Sequence, residues 1–120
     1  MEVREYQKKA HAFSQYKAGL YPVLGLVEEV GELVGPIAKH LRKNGLINWD
    51  SPDSELAKKI RCEVSDILWF CAEIATIYCW KLEDLMDENI NKLTERSAAG
   101  CICGSGETVE ERIANAEKEK

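Results

Sequence analysis

The stretch PVLGLVEEVGELVGPIAKHL, residues 22–41, decides the fold. On a helical wheel at about 100° per residue, Val23, Leu26, Val27, Val30, Leu33, Val34, Ile37 and Leu41 share one arc. Apolar residues recurring at three and four positions mark a helix packed along one side. Pro22 suits the first turn of such a helix, where its missing N–H costs nothing, and Asn44-Gly45 supplies a stop, so the helix is predicted from Pro22 to about Lys43. Three acids lie off the apolar arc, with Glu28 and Glu32 spaced i,i+4 and Glu29 and Glu32 spaced i,i+3. Taken alone, that triplet is either a solvated acidic face or half of a ligand site.

The same periodicity extends outward in both directions, and no stretch alternates at period two. The expected fold is therefore all-α, a four-helix bundle-like core. A first helix is predicted from Val3 to Lys17, ending near Gly19. A loop covers Leu46 to Ser51, and Ser51-Pro52 makes an N-cap and N1 pair that opens a third helix reaching Tyr78 or beyond. The fourth runs from about Leu82 to Arg96, although its boundary near Cys79 to Lys81 carries neither Gly nor Pro. Gly100 and the Gly-Ser-Gly at 104–106 mark a loop, which divides the chain into a helical domain, residues 1–106, and a charged tail, residues 107–120.

At 120 residues this is one domain's worth of chain, long enough to bury a core without staples. The net charge of −5, with no basic tract, argues against nonspecific binding to nucleic acid or anionic membranes, both of which need clustered cations. Ile67 to Trp80, the longest nearly uncharged run, is too short to span a bilayer, and Met1-Glu2-Val3-Arg4-Glu5 lacks the apolar core of a secretion signal. Cys62, Cys71, Cys79, Cys101 and Cys103 are an odd set, expected as buried or free thiols in a reducing cytoplasm. Cys101 and Cys103, with only His11 and His40 elsewhere, lack the spacing of a structural zinc site.

The third helix changes the meaning of the acids. Glu63 and Asp66 are again i,i+3, but their side of the wheel continues as Trp69, Phe70 and Ile77, so these carboxylates border an apolar surface. A carboxylate facing low dielectric must take up a proton or find a cation. Two antiparallel helices, each projecting two such groups, would form a cluster of hard oxygen donors without His or Cys, which selects Mg²⁺ or Mn²⁺. Di-iron sites need Glu-x-x-His, and neither histidine stands three residues after a glutamate. On the fourth helix, Asn89, Lys92 and Arg96 share an arc with Leu82, Leu85, Met86 and Leu93. They are either a capping Asn with two snorkelling cations, or groups turned inward to meet phosphate, which Lys neutralises and Arg grips with a fork.

Together GLVEEVGEL at Gly25–Leu33, EVSDILWF at Glu63–Phe70 and LEDLMDENINKLTER at Leu82–Arg96 resemble, in content and order, the MazG-like nucleoside triphosphate pyrophosphohydrolases. That all-α superfamily carries E-E-x-x-E followed at a distance by E-x-x-D. The resemblance implies Mg²⁺-dependent hydrolysis of a nucleoside triphosphate, usually a deoxynucleotide, to the monophosphate and pyrophosphate, as control or clearance of nucleotide pools. It matches Glu29 and Glu32 to the first metal-binding pair and Glu63 and Asp66 to the second, with Glu28 behind them. It matches Asn89, Lys92 and Arg96 to a block that meets sugar and phosphates. The 30 residues between Glu32 and Glu63 exceed the interval in many relatives, so the loop with Trp49 is an added lid or contact. Many short relatives close with Gly-Asp and a nearby Arg, whereas this chain has Gly106-Glu107 and continues to Lys120.

A noncatalytic helical module that binds a nucleotide or a partner is the alternative, opposed by the intact acids on both helices. Phe13, Tyr16, Tyr21, Trp49 and Phe70 are the aromatics available to stack on a base. On the third helix, Val64, Ile67, Leu68, Cys71 and Ala75 make a sufficient core stripe, leaving Trp69, Phe70 and Ile77 on other sides with Glu73 as the lone charge. A homo-oligomer, a dimer or tetramer, is expected to cover that surface, and Trp69→Glu to dissociate it.

Overall fold

A computed structural model describes residues 1–45, 51, 54–100 and 109–118. The order is α1 (Val3–His11), α2 (Tyr21–Asn44), α3 (Glu55–Ile77), α4 (Leu82–Ala98) and α5 (Val109–Lys118), with no strand among the described residues. All-α architecture is as expected. The helices fall into two compact units, Met1–Trp80 with α1 to α3 and Lys81–Lys120 with α4 and α5. Among the described residues no helix is long and apolar enough to cross a membrane.

Local chemistry sets the helix ends. Gly45 closes α2 with φ 73° and donates its N–H to the Leu41 carbonyl at 2.7 Å, a left-handed stop that a side chain would strain. Ser54 caps α3 by accepting the Ala57 N–H at 3.1 Å, so the cap lies three residues beyond the expected Ser51. Pro52 falls outside the described residues. The first helix stops at His11 instead of Lys17, because the chain turns there and brings Tyr16 back onto α3. The break after α3 needs no glycine: Cys79 itself takes φ 57°, and the Trp80 N–H reaches the Ala75 carbonyl at 2.8 Å.

Helices α2 and α3 run antiparallel. Phe70 lies against Gly25, carboxylate oxygens of Glu29, Glu32 and Glu63 converge, and Pro36, His40, Glu55 and Lys59 line one cleft. Each step toward the end of α2 is thus matched by a step toward the start of α3, at the alternating three- and four-residue spacing of interlocked helices. A Cβ at Gly25 would stand 2.2 Å from the Phe70 ring, so the close approach of that ring to the α2 backbone requires glycine.

This seam corrects the expected core. Val27, Val30, Val34 and Leu41, read as core positions, are exposed, while Val23, Leu26, Leu33 and Ile37 are half-buried. On α3 the expected stripe is split: Ala75 is buried and Ile67 and Cys71 half-buried, whereas Val64 and Leu68 stay exposed, and Phe70, buried, and Trp69, half-buried, join the core instead. The helices have turned so that function-bearing residues line the contact. Free Cys62 and Cys79 are exposed and Cys71 half-buried, with its thiol pKa raised by burial. Cys101 and Cys103 lie outside the described residues, as does Trp49.

Candidate metal centre

One turn separates Glu29 from Glu32 on α2, and α3 presents Glu63 at the same level. One oxygen from each of the three lies within 4.8 Å of the others. Glu29 and Glu63 are half-buried and Glu32 is exposed. Water does not reach Glu29 Oε2, and this atom has no hydrogen-bond partner. Burial raises the Glu29 pKa, and the charges of Glu32, Asp66 and Glu63 raise it further. Three carboxylates held this close repel one another unless a proton or cation enters, and an orphaned oxygen among them is an acceptor waiting for one. All-oxygen donors of this kind fit Mg²⁺ or Mn²⁺.

Of the expected acids, the structure therefore brings Glu29, Glu32 and Glu63 together. Asp66 is exposed and outside the close trio, yet near enough for its charge to act on Glu29. Glu28 is exposed. In the second unit, Asn89 and Lys92 are exposed on α4, and Arg96 is half-buried with its Nε lacking a hydrogen-bond partner.

Sequence reasoning left Glu73 as a lone charge in an apolar run. The structure buries it completely. The Tyr16 hydroxyl donates to Glu73 Oε2 at 2.5 Å and His11 Nδ1 stands 3.2 Å from the same oxygen, so Nδ1 carries the proton if the carboxyl is ionised. Glu73 Oε1 has no partner. A charge inside fourteen otherwise uncharged residues was itself the signal, because buried acids persist only with donors to hold them. Beside this network Phe13, Tyr16, Lys17, Tyr21 and Trp69 line an open cleft of about 630 Å³. The Trp69 indole N–H donates to the Ala10 carbonyl at 3.0 Å, and its ring meets Phe70 edge-on at 4.9 Å. Of the expected stacking aromatics, Phe70 instead lies behind this wall.

Burial, together with the Glu73 hydrogen bond and charge, pushes the Tyr16 pKa up from 10.0 to about 12. The folded state therefore holds a proton that the unfolded chain has released, and stability falls as pH rises from 10 through about 12. Tyr16→Phe is expected to lose that part of the alkaline slope in denaturant titrations. At neutral pH it should cost about 1–3 kcal/mol, as Glu73 loses a donor.

An all-α unit whose antiparallel helices oppose carboxylates across one seam defines a class of helical proteins with an acidic, oxygen-donor centre. Residues 21–100, through α2, α3 and α4, match the model of the MazG nucleotide pyrophosphohydrolase domain. The Gene 37 protein of Mycobacterium phage L5 is 34% identical over 88 residues, which are 72% of this chain and 73% of the phage protein. The chain belongs to the MazG nucleotide pyrophosphohydrolase family. No solved structure gives a significant match. The family is generally divalent-metal dependent and acts on nucleotides, and this chain carries the acidic cluster such a metal would need.

Proposed function

We propose that this protein hydrolyses nucleoside triphosphates, deoxynucleotides foremost, to the monophosphate and pyrophosphate with Mg²⁺, for which Mn²⁺ can substitute. The observation that carries the reading is the convergence of Glu29, Glu32 and Glu63 around an orphaned oxygen. In this reading those three, joined by Asp66, hold the metal, and Glu28 supports them from the exposed side. When bound, the ion neutralises phosphate oxygens and lowers the pKa of an attacking water. Tyr21, Trp69 and Lys17 line the aromatic cleft, which in this reading takes the base. Asn89 meets the sugar, while Lys92 and Arg96 stabilise the charge that builds as pyrophosphate leaves. The catalytic domain is residues 1–106, with 107–120 as a tail. Free Cys62, Cys71 and Cys79 support a reducing, cytoplasmic location, and the role in this reading is control or clearing of nucleotide pools.

A panel of deoxynucleoside and ribonucleoside triphosphates with pyrophosphate detection tests this directly. Release of pyrophosphate from at least one, abolished by EDTA, is expected; orthophosphate alone, or no product, would overturn it. Lys92→Ala should lose roughly one to two decades of kcat/KM, about 1.5–3 kcal/mol, and keep any metal-induced rise in melting temperature, since its ammonium meets phosphate and not the ion. Unchanged kinetics would return Lys92 to a solvated face.

The same proposal includes a homo-oligomer, a dimer or tetramer. Leu20 at the N-cap of α2 and Val27, Val34 and Leu41 on the helix recur every seven residues, with Leu24 beside them, and all are exposed, Val27 at 68%. An apolar stripe of this length wants a cover, and a second copy with the same stripe is self-complementary. Trp69 is a poor place to break such a contact because it packs within its own subunit. Light scattering at micromolar concentration should give at least twice 13.5 kDa, and Leu24→Glu should dissociate the assembly. A fully active wild-type monomer would end the argument.

A further inference from the structure

We propose that the cleft between the last turns of α2 and the first turns of α3 binds the diphosphate end of the substrate and retains it as pyrophosphate after hydrolysis. This rests on the pyrophosphohydrolase reading above. The cleft, of about 570 Å³, gathers Lys39, His40 and Lys43 from α2 and Lys59 from α3, with Glu55 the one acid among the described residues that line it. The Glu55 carboxylate is engaged by Lys58 Nζ at 3.1 Å. Among the described residues Lys39, Lys43 and Lys59 have no carboxylate partner within ion-pair distance. His40 Nδ1 stands 3.3 Å from Asn44 Nδ2, and an amide nitrogen can only donate, so the neutral ring carries its proton on Nε2 and offers a further donor.

Three cations and a donor in one concavity are out of keeping with a chain of net charge −5. The preference of helix C-termini for positive charge accounts for Lys43, in the last turn of α2, but not for Lys59, in the second turn of α3. Position supplies the rest of the argument. Pro36, at the near edge of the cleft, is one turn beyond Glu32, and Lys59 is one turn before Glu63. The basic cleft thus begins about 6 Å along the same seam from the acidic cluster, at a rise of about 1.5 Å per residue. Along α2 the order is Tyr21 at the aromatic cleft, Glu29 and Glu32 at the acids, then Lys39 and Lys43. That is the order of base, inner phosphate and outer phosphates in a nucleoside triphosphate. Compact ammonium groups suit the outer pair, whose charge is highest once the bond to the inner phosphate is cut.

The test is calorimetric titration of inorganic pyrophosphate, with Mg²⁺ present, into the wild type and the Lys43→Glu/Lys59→Glu double variant, alongside kinetics with pyrophosphate as inhibitor. Circular dichroism confirms folding, and Lys43→Gln/Lys59→Gln provides a milder variant. Salt-sensitive binding is expected in the wild type, weakened at least tenfold by charge reversal and less by neutralisation, with inhibition by nucleoside monophosphate unchanged. Equal pyrophosphate binding in wild type and both variants would overturn the site even if triphosphates are hydrolysed. Lysine-dependent pyrophosphate binding by a protein that hydrolyses no triphosphate would support the anion site and remove the catalytic reading.

Discussion

Glu63→Gln is expected to lower kcat/KM by at least three decades while leaving the helical fold intact. Glutamine keeps the shape of the side chain and its contact with α2 but removes one of three charges that face a common point. Charge stabilisation by a bound metal is worth several kcal/mol in the transition state, and three decades correspond to about 4 kcal/mol. The sign on stability without metal is opposite. Glu63 is one of the groups that raise the Glu29 pKa, so removing its charge relieves repulsion in the metal-free protein. Without divalent ions the variant should melt no lower than the wild type, and with Mg²⁺ it should gain less. A rate near that of the wild type at saturating Mg²⁺ would sink the cluster as a catalytic centre.

Gly25→Ala is expected to destabilise the protein, against the ordinary trend for helices. Replacing glycine by alanine within a helix usually stabilises by about 1 kcal/mol, since alanine loses less backbone freedom on folding. At this position the added methyl would meet two Phe70 ring carbons at 2.2 and 2.4 Å. Something must move, and overpacking of this kind costs about 1–3 kcal/mol, enough to reverse the sign and lower the melting temperature by several degrees. Because α2 and α3 carry the acids on the same seam, the displacement should also weaken metal-dependent activity. Phe70→Leu in the same chain vacates the ring position and should recover part of the loss, visible as a coupling energy in a double-mutant cycle. Additive effects of the two substitutions would show that the contact does not set the helix spacing.

The helices of this protein were legible because their signals are local. Pro22 and Asn44-Gly45 bracket α2, and apolar recurrence at three and four positions excludes strands. Glu29, Glu32 and Glu63 were legible as chemistry, since residue type and spacing survive whatever the helix rotation. That rotation was not legible. A helical wheel assigns the widest apolar arc to the core, but here the arc with Val27 and Val34 stays open while Gly25, Glu29 and Glu32 line the contact. Wheels show which residues share a face, and cannot tell a face that closes its own subunit from one that another chain would cover. Glu73 escaped for a different reason. Its partners, His11 and Tyr16, are 62 and 57 residues away, and only the early end of α1 at His11 lets the chain bring them in. The basic cleft escaped likewise, since Lys39, Lys43 and Lys59 become neighbours only through the antiparallel register.

The most direct test of the central claim, that the acids of α2 and α3 form a metal site, is thermal melting of the wild type and of Glu63→Gln during Mn²⁺ titration, with reversal by EDTA. A ligand that binds only the folded state stabilises it by RT ln(1 + [L]/Kd), so at a hundredfold excess over Kd the gain is about 2.7 kcal/mol. The account predicts a saturable rise in the wild type, removed by EDTA and largely absent from Glu63→Gln. No rise in the wild type, or the same rise in both proteins, would contradict it.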